Sequence, residues 1–278
     1  MYKLIFSDID GTLLNSQHKI SEATKASLEL LQQIGIPFVL VSARMPKGIL
    51  ALQASSKLKE PIICFSGALL LGGEQENGER EIVYKSTMKE KDISGIYKLI
   101  SAQFSSICYT IYSKDEWLVE SLEDEWVVQE EKITSINPKL VDFQLTSCSS
   151  VYKILCMGEP LSIDSLEREL KNHYPELSIY KSKPTYLEIM AENVKKSVAI
   201  AMLANQLGIN QQEIMAFGDN YNDMDMLQYA GLGVAMGNAP QAVKEAADIV
   251  TNSNDDDGIM HVINKYFIDK ISCKESSF

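Results

Sequence analysis

The sequence predicts an α/β fold: a buried parallel sheet covered by helices, interrupted by a separate α+β unit. Three observations carry this. Short continuous apolar runs alternate with segments of helical periodicity at both ends of the chain. Continuous apolar strands separated by helices mark a sheet buried on both faces. The rhythm breaks between about 84 and 184 and then returns. At 278 residues the chain exceeds the usual single-domain size, so one large or two medium domains are expected.

The elements follow in order. YKLIFS at 2–7 reads as a first strand. Ser21 can cap a helix from about 22 to 34, with Leu28, Leu30, Leu31 and Ile34 at helical spacing and Gly35 ending it. IPFVLV at 36–41 is a second strand, and a helix from about 46 to 57 follows with Pro46 in its first turn. PIICF at 61–65 is a third strand. Within 84–184, SICYTIYS at 106–113 and VYKILCMG at 151–158 partly alternate, and SIYKSKPTYLEIM at 178–190 reads as two strands around a turn. That mixture predicts an inserted α+β unit over 84–184, between core segments 1–83 and 185–278. The core resumes with a helix at 195–209 and strands at 213–219, 231–236 and 248–251. The tail SCKESSF is expected to fray.

Composition narrows the function. The formal net charge of -12 argues against a general nucleic-acid or anionic-membrane binder, because it leaves no large basic surface. It also opposes an anionic substrate, so a site for one must act locally. One opposite charge at about 4 Å contributes about 4 kcal/mol at an effective dielectric near 20. A divalent metal with one lysine therefore outweighs a diffuse, screened surface charge. Five cysteines, Cys64, Cys108, Cys148, Cys156 and Cys273, include no CxxC pair, and free thiols in a reducing cytosol are expected. The first residues do not form a signal peptide, and no apolar run is long enough to span a bilayer. A cytoplasmic location follows. Oligomeric state is not readable.

Chemistry concentrates at strand ends. SDIDGTLL at 7–14 puts Asp8 and Asp10 two residues apart after a strand, so both can face one point at the sheet edge, where open α/β sheets bind ligands. A solvated Asp-Gly turn is the rival reading. GDNYNDMDML at 218–227 places a further acid, Asp219, at another strand exit, with Asn222 and Asp223 near the next helix start, where capping is the plainer role. VSAR at 41–44 offers the Ser42 hydroxyl and following amides to an anion. Lys196 opens a helix, and the adjacent Lys195 competes with it for any role. His18, His173 and His261 are scattered without partner spacing, which disfavours a zinc or Ser-His-Asp hydrolase.

Together, DIDGT at 8–12, the Ser42 segment, Lys196 and GDNYND at 218–223 resemble the haloacid dehalogenase superfamily, and within it the Cof-type hydrolases. The resemblance runs over nearly the whole chain. It departs from the usual pattern at Ala43, at Ser197 and at SGA 66–68, without removing a catalytic side chain. The resemblance implies a Rossmann-like parallel sheet with helices on both faces and a mobile inserted cap. It implies a phosphatase of small phosphorylated metabolites, such as sugar phosphates, that needs Mg²⁺.

In that scheme Asp8 is the nucleophile and Asp10 the acid and base. Asp8, the backbone carbonyl of Asp10, and Asp219 hold the metal, with Asp223 in support. Ser42, the Ala43 amide, Lys196 and Asn222 bind the phosphoryl oxygens. Arg44 lines the entrance or forms a structural ion pair. Tyr112, Trp117 and Tyr186 of the cap are candidate substrate contacts, though core packing suits them equally. Two rivals stay open: a sugar-phosphate mutase of the same superfamily, and a non-enzymatic Mg²⁺-dependent phosphate sensor.

Overall fold

A computed structural model describes residues 2–143 and 150–268. The tail from 272 onward, Cys148 and Cys273 lie outside the described residues. In chain order, β1 (Leu4–Ser7), α1 (Glu22–Gln33), β2 (Phe38–Val41), α2 (Pro46–Ser56) and β3 (Ile62–Cys64) form the opening α/β run. Next come β4 (Leu69–Leu71) and β5 (Ile82–Lys85). The middle of the chain holds α3 (Glu90–Gln103), β6 (Cys108–Tyr112), β7 (Trp117–Val119), α4 (Glu125–Thr134), β8 (Lys139–Leu140), β9 (Lys153–Met157), α5 (Pro160–His173), β10 (Ser178–Lys183) and β11 (Tyr186–Met190). The last part holds α6 (Lys196–Gln206), β12 (Ile214–Gly218), α7 (Met224–Tyr229), β13 (Leu232–Ala235), α8 (Gln241–Ala246), β14 (Ile249–Val250) and α9 (Gly258–Ile263).

Two sheets result. The first runs β14-β13-β12-β1-β2-β3-β4-β5 and the second β10-β11-β9-β6-β7-β8. From β14 to β3 every pairing is parallel, but β3–β4 and β4–β5 are antiparallel. The expected parallel sheet therefore gains an antiparallel edge. The physical reason is chain length: a parallel return needs a crossover of about a dozen residues or more, and the link from Cys64 to Leu69 is a single tight turn.

Strand alternation splits the first core in two. Leu4, Phe6, Val39, Val41, Ile63, Ile214 and Ala216 pack with Ala199, Ile200 and Leu203 of α6 and Met226 and Leu227 of α7. The opposite face sends Ile5, Phe38, Leu40, Met215 and Phe217 against Leu28 and Leu31 of α1, Ile49 of α2 and Val262 of α9. Each such side chain contributes about 1.5–3 kcal/mol when fully buried, so helices are held on both faces. The Ser21 hydroxyl accepts from the Thr24 amide, as a cap should.

The second sheet is mostly antiparallel, and α3 and α5 bury Ile96, Ile100, Leu166 and Leu170 in its core. Its strands reach Met190, past residue 184, because β11 pairs with both β10 and β9. Conversely, β5 crosses residue 83 and pairs in the first sheet. Cross-strand partners, which local patterning does not carry, decide which sheet each of these strands joins. Asp257 stands at the N-cap of α9 without a side-chain cap bond; Asp255 accepts from the Ser16 amide and Asp257 from the Ser21 hydroxyl, tying the chain to the α1 entrance. Cys64, Cys108 and Cys156 are free, and burial pushes each thiol up. Among the described residues no helix is long and apolar enough to cross a membrane.

Candidate active site

β1 and β12 are neighbours with Ser7 opposite Phe217, so their carboxyl ends leave the sheet side by side. Asp8 follows one strand and Asp219 the other, and the Asp8 amide donates to the Phe217 carbonyl at 3.0 Å. The chain turns away at Gly11, whose φ of +84 suits glycine. A Cβ there would lie 2.5 Å from Asp219 Oδ2, so the loop can close over the carboxylate only without a side chain. Thr12 Oγ1 donates to Asp219 Oδ1 at 2.7 Å and fixes its orientation.

Lys196 enters from the first turn of α6 and is 1% exposed. Its ammonium donates at 2.6 Å to both Asp8 Oδ1 and Asp223 Oδ1, and at 3.4 Å to the Val41 carbonyl. Lys195 is exposed, so geometry separates the two lysines. Asp223 is fully buried, and its Oδ2 accepts from the Asp219 and Asn220 amides at 3.0 and 2.9 Å. Capping in this motif falls to Asn220 and Asp223, which form a reciprocal box around the turn Tyr221–Asp223. Asn222 is not used as a cap and lines a cavity with Asp8, Asp10, Ser42 and Ala43. The Ser42 hydroxyl is 2% exposed and accepts from the Arg44 amide at 3.2 Å.

Asp10 departs from the cluster. Its side chain is half exposed, and both oxygens accept from Arg44, at 2.8 Å from Nε and 2.5 Å from Nη2. Of the two readings of Arg44, the ion pair is the one formed, and it stands at the cavity wall.

Charge inside the cluster is unbalanced. Asp8, Asp219 and Asp223 each bring a carboxylate oxygen within 4.8 Å of the others, with one lysine among them. Burial pushes Asp8 well up; Lys196 opposes this, and Asp223, Asp219 and Asp10 add to it. Burial likewise pushes Asp219 up to about 6, against the Thr12 hydrogen bond. For Lys196, burial pulls the ammonium down, and Asp223 and Asp8 outweigh it and push it up. Crowded hard oxygen donors with surplus negative charge fit a cation such as Mg²⁺. Asp223 is the least free to ligate, since Lys196 and two amides already occupy its oxygens.

Sequence reasoning missed Lys153, Glu188 and Glu130, which line the same cavity from the second sheet and α4. Charged residues inside the apolar runs VYKILCM and YLEIM were the available signal.

The chain matches a family model for haloacid dehalogenase-like hydrolases over residues 5–263. A Haemophilus influenzae protein named provisionally as a phosphatase is 38% identical over 96% of this chain and 99% of its own. The 5-amino-6-(5-phospho-D-ribitylamino)uracil phosphatase YcsE of Bacillus subtilis is 29% identical over 96% of each chain. Among solved structures, a haloacid dehalogenase-like hydrolase from Bacteroides thetaiotaomicron superimposes with a TM-score of 0.86 at 30% identity, covering 96% of this chain and all of that one. The subclass IIB sugar phosphatase BT4131 superimposes with a TM-score of 0.83 at 27% identity, covering 95% of this chain and 98% of its own. With the motifs, the two-sheet fold and the acid cluster, these matches establish that the chain belongs to the haloacid dehalogenase-like hydrolase family, on its phosphatase branch.

Proposed function

We propose that this enzyme is a Mg²⁺-dependent phosphatase of small phosphorylated metabolites, sugar phosphates or related monoesters, working through an aspartyl-phosphate on Asp8. The carrying observation is that Asp8 and Asp219, more than two hundred residues apart, bring carboxylate oxygens within 4.8 Å of each other, beside a buried lysine that pairs with Asp8. Asp8, the Asp10 carbonyl and Asp219 would hold the metal, which would offset repulsion between carboxylate and phosphate anion. Lys196 holds Asp8 Oδ1, which fixes the carboxylate plane and leaves the other oxygen for attack on phosphorus. Ser42, the Ala43 amide, Lys196 and Asn222 hold the phosphoryl oxygens, so the reaction depends on placement and charge stabilisation.

Attack breaks the bond from phosphorus to the ester oxygen, and Asp10 gives that oxygen its proton. Water then attacks the phosphoryl group, passes a proton back to Asp10, and frees Asp8 and inorganic phosphate. Both Asp10 oxygens accept from Arg44 in the structure, so Arg44 has to release Asp10 before that carboxyl can reach the leaving oxygen. The unit bearing the second sheet acts as the cap over this centre.

Phosphate release from a metabolite panel with Mg²⁺ tests the reading. Chelation is expected to stop turnover, and Asp8→Asn to lower it by roughly 10⁴-fold or more. An Asp8→Asn enzyme with wild-type turnover would remove Asp8 as the nucleophile.

A further inference from the structure

Lys196 needs more than its ion pairs to stay in place. It is the first residue of α6, and the opening amides of a helix have no partner inside it. Helix ends fray for that reason. Lys195, at the cap position, gives no side-chain hydrogen bond to the turn. The backbone that carries the buried lysine therefore lacks a local restraint.

The restraint comes from another helix. The Ser197 amide donates to Asp225 Oδ2 at 2.8 Å. Asp225 sits in the first turn of α7, two residues beyond Asp223. A carboxylate at the positive end of a helix gains a charge-assisted hydrogen bond and a favourable dipole together. Among the described residues, no other side chain accepts from an amide of the first turn of α6. On the other side of Lys196, the Lys195 carbonyl packs so closely on Gly67 that a Cβ there would lie 2.3 Å from its oxygen. Both neighbours of Lys196 are thus fixed by other elements.

This bond reaches the chemistry. α7 follows directly on the turn that carries Asn222 and Asp223. Lys196 Nζ donates at 2.6 Å to both Asp8 and Asp223. Joining α6 to α7 therefore sets where the ammonium stands against Asp8. A displacement of about 1 Å from productive geometry costs about a hundredfold in rate.

Asp225 acts from outside the site. It does not line the cavity that opens onto Asp8, Asp10 and Ser42. It lines a second cavity of about 320 Å³, together with Lys195 and Tyr221, that shares only Asn222 with the first. Its carboxylate is placed to hold a helix end and not to touch a substrate.

We propose that Asp225 is a positioning residue for phosphoryl transfer: by capping α6 from α7 it holds Lys196 against Asp8. The assignment rests on the phosphatase reading of Asp8 and deepens it.

The test uses the full chain with Mg²⁺ and measures kcat and KM separately, on p-nitrophenyl phosphate and on the fastest ester of the metabolite panel. Circular dichroism fixes a temperature at which each variant is folded. Asp225→Ala removes the acceptor and is expected to lower kcat about tenfold or more, with KM within about threefold. Asp225→Asn keeps an acceptor oxygen and is expected to hold kcat within about threefold of the wild type. Asp225→Ser, too short to reach the amide, replaces Asp225→Ala should that variant fail to fold. A residue that only stabilised the helix would lower the melting temperature and leave the kcat of folded enzyme unchanged. A kcat for Asp225→Ala within about threefold of the wild type therefore overturns the proposal. So does a loss carried by KM alone, or an Asp225→Asn enzyme as slow as Asp225→Ala. Absence of turnover on every ester in the wild type overturns the phosphatase reading instead.

Discussion

Lys196 shows how one side chain can hold a site and a fold together. It bridges Asp8 and Asp223, and all three are buried. Removing one partner of a buried ion pair leaves uncompensated charge, which costs about 3–5 kcal/mol. Lys196→Met is therefore expected to lower unfolding free energy by roughly 3 kcal/mol or more. Urea denaturation measures it, and a loss under about 1 kcal/mol would mean that the carboxylates are neutralised some other way. Asp8, Asp10 and Asp219 were legible in the sequence as acids at strand exits, whereas Lys196 could not be told from Lys195 there. The Arg44 pairing of Asp10 was left open there, since a guanidinium can reach several partners from the same backbone position.

At the scale of an element, the turn Phe65–Gly67 matters more than its length suggests. Its three residues have φ of 48, 52 and +108. The Phe65 amide donates to the Arg44 carbonyl and the Ser66 amide to that of Ser42, so the turn braces the segment that carries Ser42 and Ala43. A Cβ on Gly67 would lie 2.3 Å from the Lys195 carbonyl oxygen, at the start of α6. Gly67→Ala is expected to cost about 1–3 kcal/mol in strain and to shift Lys196 away from Asp8. Thermal denaturation with phosphate-release assays would check both, and a variant as stable and active as the wild type would show that the turn is not a brace. The strand β4 leaves this turn and was not foreseen, because three leucines so close to β3 carry no period of their own. β11 was read as a strand, but only its partners decide which sheet it joins.

At the scale of the whole molecule, proton binding and stability are coupled. Asp219 has a folded value pushed up to about 6, above an unfolded value of about 3.9. The folded state then binds more protons than the unfolded one between these values. The stability it contributes is complete below about pH 3.9 and is lost as pH rises through about 6. Asp8 is pushed the same way. In metal-free protein, Asp219→Asn is therefore expected to gain on the wild type as pH rises from about 4 to about 7, by up to about 3 kcal/mol. A difference that stays flat or falls would contradict the charge crowding. Mg²⁺ at a hundredfold excess over its dissociation constant is expected to restore about 2.7 kcal/mol to the wild type, read from denaturation midpoints.

The sequence by itself determined the alternation of strand and helix, the placing of Asp8, Asp10 and Asp219 at strand exits and the break in rhythm where the second sheet lies. These depend on local patterns: apolar periodicity, turn glycines and charged residues at strand exits. Only tertiary structure decided the antiparallel edge, the true limits of each sheet, the choice of Lys196 over Lys195, the Arg44–Asp10 pair and the polar wall of Lys153, Glu130 and Glu188. Each of those is a relation between residues far apart in the chain. Distance in space is set by how sheets pair and pack, and no local pattern encodes it.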